Sequence, residues 1–179
     1  MPRKNEIDML HGPLLAKIII FAMPLAASSI LQQLFNSVDV AVVGRFDSSY
    51  ALAAVGSNGP VISLLINLFL GISMGANVVI SNHIGQKDNN LTKYAIRTTA
   101  ATALFSGLAL AVIGVLAARP ILTIMGTPTE VLDMAVRYLR IYFIGTPFLL
   151  IYNFGSAILR SKGDTSRPLY ILIVAGIIN

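Results

Sequence analysis

The fold of this chain is decided by residues 14–44, which read LLAKIIIFAMPLAASSILQQLFNSVDVAVVG. From Ile18 to Val43, the one formally charged residue is Asp39. A helix needs about 20 mostly apolar residues to cross a hydrocarbon core of about 30 Å. This stretch is longer than that, so it predicts a membrane-spanning helix.

Polar side chains recur at helical spacing inside this stretch. Gln32, Asn36 and Asp39 stand at positions i, i+4 and i+7, so they share one helix face, with Gln33 beside them. A carboxylate inside a membrane helix costs about 2.5–3.5 kcal/mol on insertion scales and normally faces a bundle interior or a water-filled cavity. The stripe therefore predicts a site that binds or moves something. An alternative is that Asp39, about 8 Å from Gly44 by helical rise, only reaches the membrane interface.

The composition indicates an all-α polytopic membrane protein. The chain is 55% hydrophobic and 12% charged, with a mean hydropathy of +0.76, whereas soluble domains contain about 25% charged residues. The net charge is +5, but the basic residues separate apolar blocks and form no patch with interleaved aromatic residues. We therefore expect a lipid bilayer, and no nucleic acid, as a partner.

The apolar blocks predict four complete membrane helices and a truncated fifth. They lie at about residues 14–43, 51–84, 98–118, 130–159 and 168–179. Arg119 and Pro120 are expected to end the third helix, and residues 85–97 to form a loop before it. The last apolar run, residues 169–179, is too short to span a bilayer, so the chain is expected to end inside an element.

Two stripes of small residues indicate close helix packing. They are Ser63, Asn67, Gly71 and Gly75 in the second predicted helix, and Ala103, Gly107 and Ala111 in the third. Asn67 is the member of the first stripe that could reach a cavity. In the fourth predicted helix, Asp133 and Arg137 are one turn apart and are expected to form a surface ion pair.

The basic residues predict a cytoplasmic N-terminus. If the helices alternate across the bilayer, one side receives nine basic residues and the other receives four. The side rich in Lys and Arg is normally cytoplasmic. The expected location is the cell inner (plasma) membrane. The two groups are Arg3, Lys4, Lys17, Lys87, Lys93, Arg97, Arg160, Lys162 and Arg167 against Arg45, Arg119, Arg137 and Arg140.

The motifs of common enzyme classes are missing from the sequence. It contains no HExxH pair, no GxSxG elbow, no P-loop and no dinucleotide fingerprint. We therefore expect no enzymatic activity, no catalytic residue, no metal site and no organic cofactor.

Four stretches, in this order and spacing, resemble the multidrug and toxic compound extrusion (MATE) transporters. They are Pro24 with NSVDVAVVG at 36–44, ALAAVG at 51–56, GISMG at 71–75 with GQKD at 85–88, and RSKGDTSRP at 160–168. The resemblance implies twelve helices in two lobes with a substrate cavity between them. It further implies export of organic, often cationic, compounds, with proton or sodium entry as the coupling reaction.

The resemblance also implies roles for individual residues. Asp39 matches the acid tied to cation coupling, and Asn179 matches an asparagine of its network. Pro24 matches the proline at which the first helix bends. Gln32, Gln33, Asn36 and Asn67 would complete the cavity network. The chain would be an incomplete N-terminal lobe whose C-terminal lobe is missing, and we expect no transport by it alone.

Two other readings of the sequence remain open. One is a flippase for lipid-linked oligosaccharides from the same superfamily, whose cavity should be strongly basic. The other is a small oligomeric membrane scaffold, in which the polar stripe only holds helices together.

Overall fold

The structure, a computed structural model, describes residues 13–46 and 48–178 and folds them into five α-helices. Four of the helices are long and apolar enough to cross a membrane, and the fifth is a shorter apolar helix. The helical membrane class predicted from the sequence is thereby confirmed. The helices are α1 (Leu14–Phe46), α2 (Ser49–Gly85), α3 (Asn89–Ile124), α4 (Thr129–Ser161) and α5 (Ser166–Ile178).

The prediction that α3 begins near residue 98 was wrong, because the helix already begins at Asn89. Asp88 caps it: its Oδ1 accepts the backbone N–H groups of Asn90 (3.0 Å) and Leu91 (2.9 Å). A side-chain acceptor of this kind satisfies N–H groups that the first helical turn leaves unpaired. The predicted loop of residues 85–97 is therefore only a short turn, and polar residues form the first turns of α3.

The prediction that Arg119 and Pro120 end this helix was also wrong. α3 continues through Pro120 to Ile124, since a proline removes one backbone hydrogen bond and neighbouring groups can compensate in a membrane helix. The helix ends where Gly126 takes a positive φ of 75°. There the N–H of Thr127 bonds to the carbonyl of Leu122 (3.1 Å), a helix-ending arrangement that glycine permits.

The described residues divide into two compact units, and each of the four long helices contributes to both. The first unit contains residues 13–36, 73–100 and 152–178. The second unit contains the described residues of 37–72 and 101–151.

The second unit is built on an apolar core. Asn58 of α2 crosses this core, and its amide nitrogen donates to the carbonyls of Ala54 (2.8 Å) and Ala135 (3.2 Å). The second bond joins α2 to α4 through a side chain that is fully buried. The core cluster consists of Ala54, Ala118, Leu122, Val131, Ala135, Val136, Leu139 and Phe143.

Glycines of α3 allow α4 to approach closely in this unit. A Cβ added at Gly107 would lie 2.7 Å from the Cα of Pro147, and one added at Gly114 would overlap the ring of Phe143. The small-residue face predicted on the third helix therefore packs as expected. On the predicted α2 stripe, by contrast, a Cβ at Gly71 or Gly75 would meet no atom within 4 Å. That stripe is exposed in the described structure.

The first unit has a more polar interior. Asn77 of α2 donates from its amide nitrogen to the carbonyl of Ala157 on α4 (2.9 Å). The turn between α4 and α5 is buried: Asp164 is 2% exposed, and its two oxygens accept the backbone N–H (3.1 Å) and the Nε (3.0 Å) of Arg167. This carboxylate caps α5 and holds a cation at the same time.

Candidate functional site

Asp39 lies within a helix that is long and apolar enough to span a membrane. α1 continues past Gly44 to Phe46, so the carboxylate lies seven residues, or about 10 Å of helical rise, before the helix ends. It interacts electrostatically with Tyr138 on α4. Asp39 is nevertheless exposed in the described structure, which is also what the interface-only alternative predicts.

The second unit contains a cavity of about 250 Å³, which we call the Tyr138 cavity. Its wall on α1 is Val43, one turn after Asp39 and so on the same helix face. Tyr138 lines the cavity and also interacts with Asp39. Asp39 is therefore connected to the cavity through Val43, one turn away on α1, and through Tyr138 of α4. The lining residues are Val43, Ala51, Ala54, Val55, Met134, Arg137, Tyr138 and Ile141.

The walls of the Tyr138 cavity are suited to organic molecules. Six of the eight lining residues are apolar, and the polar groups are the phenol of Tyr138 and the guanidinium of Arg137. Pockets for small molecules are commonly apolar with a few polar groups that set orientation. The arrangement can hold an apolar body beside a hydroxyl, with a carboxylate within electrostatic reach of that hydroxyl.

Like Asp39, the other predicted cavity residues that the structure describes are exposed. Gln32, Gln33 and Asn36 lie on the part of α1 that belongs to the first unit, and Asn67 lies on α2 in the second. Because α1 is unbroken, Gln32, Asn36 and Asp39 do share one helix face. Asn67 does not line the Tyr138 cavity. Asn179 lies outside the described residues, so its assignment stays a prediction.

Pro24 marks a local weak point of α1. Proline has no N–H, so the carbonyl four residues earlier loses its helical partner. In the next turn, the hydroxyl of Ser28 donates to the carbonyl of Pro24 (2.8 Å), and that of Ser29 donates to the carbonyl of Leu25 (3.1 Å). Serines that bond back to the preceding turn often bend helices. The two effects together make this the segment at which α1 bends most easily.

Sequence reasoning missed Tyr138 and Arg137 as cavity residues. Arg137 was expected to pair with Asp133, but Asp133 instead pairs with Arg119 of α3 (3.1 Å). The close approach of α3 and α4 brings that cation to the acid, which leaves Arg137 to line the cavity. The spacing of Met134, Tyr138 and Ile141 along one face of α4 was the signal that could have revealed this wall.

Comparisons with known proteins agree with this architecture. The MatE family model matches residues 24–179. "Probable multidrug resistance protein YoeA" of Bacillus subtilis (strain 168) is 37% identical over 160 residues, which are 89% of this chain and 35% of that protein.

Solved structures show the same fold. "Crystal structure of MATE in the bent conformation" matches with a TM-score of 0.87 and 25% identity, over 98% of this chain and 39% of that chain. "Crystal structure of MATE in the straight conformation" matches with a TM-score of 0.88 and 24% identity, over the same shares. The chain thus spans 35–39% of the length of these relatives. Since the family model covers most of the chain, the resemblance seen in the sequence is confirmed: the chain belongs to the MatE family of transporters.

Proposed function

We propose that this chain forms most of the N-terminal lobe of a cation-coupled exporter of organic, often cationic, compounds. The observation that carries the proposal is Asp39, an acid within a candidate membrane helix that interacts electrostatically with Tyr138, which lines an apolar cavity. The chain is similar to a protein named for multidrug resistance, which supports a drug-like substrate. The remaining lobe of the same protein is the partner that would complete the substrate pathway.

Asp39 would couple substrate to ion by changing its charge. While ionised, it attracts an organic cation or a sodium ion, and once protonated it loses that attraction. Gln32, Gln33 and Asn36 would hydrogen-bond the acid or its ion from α1.

Bending at Pro24 would join this exchange to a change of access. The missing backbone hydrogen bond and the two serine bonds that follow lower the cost of bending α1. A change in charge at Asp39 would then shift the balance between two shapes of this helix. The similarity to transporter structures described as bent and straight fits a helix with two shapes.

We further propose an inner-membrane location with the N-terminus in the cytoplasm. The turn between α2 and α3 with the start of α3 contains Lys87, Lys93 and Arg97, and the turn between α4 and α5 with the start of α5 contains Lys162 and Arg167. Basic residues that flank membrane helices favour the cytoplasmic side. The first of these turns follows two helices and the second follows four, which puts the N-terminus on the same side.

The proposal is tested by removing the charge of Asp39 from the intact protein. We expect Asp39→Asn to abolish resistance to an organic cation such as ethidium in a host without its own efflux pumps. The substitution removes the group that changes charge and preserves its size. The matched control is Asp133→Asn, which removes an acid that is exposed and paired with Arg119; we expect it to preserve resistance.

Measured export by Asp39→Asn at the wild-type rate would refute the coupling role. Transport by the purified protein in vesicles, under imposed proton or sodium gradients, then identifies the coupling ion. Lipid-linked oligosaccharide in place of ethidium in the same vesicles tests the flippase reading. For the scaffold reading, we would expect no gradient-driven movement of either compound.

A further inference from the structure

A second cavity lies inside the first unit, far along the sequence from Asp39. It has a volume of about 150 Å³, and we call it the Arg160 pocket. At about 30 Å³ for each water molecule in the liquid, this is room for a small tetrahedral or planar anion. The lining residues come from α1, α2 and α4, and are Phe21, Leu25, Ser73, Met74, Asn77, Ala157 and Arg160.

Arg160 brings a cation into this pocket. Its Nε is buried, and no acceptor among the described residues bonds to it. None of the described residues that line the pocket is an acid. Asp164, one turn further along the chain, is already committed to Arg167 through both of its oxygens. A buried guanidinium nitrogen with no partner is costly, so the pocket favours a ligand that supplies an acceptor and a negative charge.

The other polar groups of the pocket are suited to an oxyanion. Asn77 uses its amide nitrogen once, towards the carbonyl of Ala157, and an amide NH₂ has two donor hydrogens. Ser73 is buried and adds a hydroxyl to the lining. Arg, Asn and Ser are residue types that bind phosphate and carboxylate oxygens, and arginine does so through charge-assisted hydrogen bonds.

The surroundings of the pocket also favour an anion. Lys17 precedes Phe21 by one helical turn on α1 and so lies on the same face. The described residues of the first unit include seven Lys and Arg but two acids. Both acids already have partners: Asp88 caps α3, and Asp164 forms an ion pair with Arg167. The described part of this unit therefore has a net positive charge, which favours an anion.

We propose that the Arg160 pocket is a binding site for a phosphate-type oxyanion, held by Arg160 with Asn77 and Ser73. The phosphate is either the headgroup of an anionic lipid or a free anion. A bound phosphate would link α1 near Pro24 to α2 and α4, and would stabilise the packing of the three helices. This site is separate from the Tyr138 cavity and does not depend on the export function.

The test measures the thermal midpoint of the intact protein in nanodiscs. In one arm, phosphatidylcholine nanodiscs receive sodium phosphate or, at equal ionic strength, sodium chloride. In the other arm, the nanodiscs contain phosphatidylcholine with or without phosphatidylglycerol. We expect the midpoint of the wild-type protein to rise in at least one arm. A rise with sodium phosphate identifies a free anion, and a rise only with phosphatidylglycerol identifies the lipid headgroup.

Two pairs of variants assign the effect to the pocket. In Arg160→Gln, the same rise of the thermal midpoint should require about tenfold more ligand, because the variant loses about one charge-assisted hydrogen bond to the anion. Its control, Lys162→Gln, removes an equal charge two residues away at a position outside the lining and should respond as the wild type does.

Met74→Glu adds a carboxylate to the lining that competes for Arg160, whereas Met74→Gln has the same shape without the charge. Met74 is 59% exposed, so both variants should fold.

The proposal is supported if Met74→Glu loses the anion response that Met74→Gln retains, even where Arg160→Gln fails to fold. It is overturned if neither anion raises the wild-type midpoint. It is also overturned if Lys162→Gln loses the response as strongly as Arg160→Gln, since the effect would then come from general surface charge. The proposal is overturned as well if the anion raises the thermal midpoints of Met74→Glu and Met74→Gln equally.

Discussion

The two units of this molecule bury different kinds of residue. In the described part of the second unit, eleven buried hydrophobic residues accompany two buried polar ones, Asn58 and Thr146. In that of the first unit, four buried hydrophobic residues accompany six buried polar ones. These six are Ser73, Thr99, Asn153, Ser156, Asp164 and Thr165.

Charged residues are also distributed unequally between the two units. The described part of the first unit contains seven basic and two acidic residues, and that of the second contains four basic and three acidic. Among the described residues, three of the four buried polar side-chain atoms without a hydrogen-bond partner belong to the first unit, in His83, Arg160 and Thr165. Apolar burial is therefore the main source of stability in the second unit. Hydrogen bonds and charge contribute more in the first, where unsatisfied donors leave room for a ligand.

The largest expected difference between the units comes from two buried phenylalanines of α4. Phe143 in the second unit and Phe154 in the first are each 1% exposed. Phe143→Ala should lower the free energy of unfolding by about 3–5 kcal/mol, because the apolar cluster around it cannot fill the cavity. Phe154→Ala should cost less, about 2–3 kcal/mol, because the buried residues of the first unit are more often polar and a polar interior allows water to enter the space. Reversible unfolding of the intact protein in detergent with added SDS measures both. Equal losses would contradict the contrast between the two interiors.

A smaller effect is expected where helices touch through glycine. Gly114→Ala should cost about 1–3 kcal/mol through overpacking, because the added Cβ would overlap the ring of Phe143. Gly71→Ala is the control in the same unit, since a Cβ there meets no atom within 4 Å. The same unfolding titration should find this control at or above the stability of the wild type, because alanine favours the helix. Loss of stability in Gly71→Ala as large as in Gly114→Ala would show that the exposed stripe of α2 packs against another part of the intact protein.

The smallest effect concerns one ion pair in each unit. The Asp164 side chain is 3% exposed, whereas the Asp133 side chain is 79% exposed. Asp164→Asn should cost about 1–2 kcal/mol, because the amide can still cap α5 but cannot hold the charge of Arg167. Asp133→Asn should cost less than about 0.5 kcal/mol, as expected for an exposed pair. Unfolding at low and high salt measures the two changes. If the loss of stability in Asp164→Asn depended strongly on salt, the Asp164 carboxylate would not be shielded from solvent in the way that its 3% exposure indicates.

The membrane helices could be predicted from the sequence because hydropathy and helix length decide membrane insertion locally. It also placed Asp39 on one face with Gln32 and Asn36, which follows from the helical repeat once α1 is continuous. The errors at residues 85–97 and at Pro120 have a common cause. Hydropathy detects the part of a helix that lies in the hydrocarbon core, whereas α3 extends beyond it at both ends. Hydrogen bonding ends a helix, and here the end groups are Asp88 and Gly126.

The cavities were beyond the reach of sequence reasoning for a different reason. The sequence of α4 does not mark Tyr138 or Arg160 as cavity residues, because each lines a cavity only through the packing of other helices beside α4. The same holds for Asp133, whose partner proved to be Arg119 of another helix. Spacing along one helix identifies neighbours on that helix only, and gives no information on which faces meet.

By itself, the sequence determined that this protein is a bundle of membrane helices with one acid within the apolar stretch of α1 and an excess of basic residues. Those properties depend on the transfer of side chains from water to lipid, which each segment undergoes largely alone. Only the tertiary structure decided that α3 rather than α2 supplies the close glycine contacts, and that Tyr138 interacts electrostatically with Asp39. It likewise decided that Arg160 lies in a pocket whose described lining contains no acid. Such contacts depend on the distance between atoms of different helices, and packing alone sets that distance.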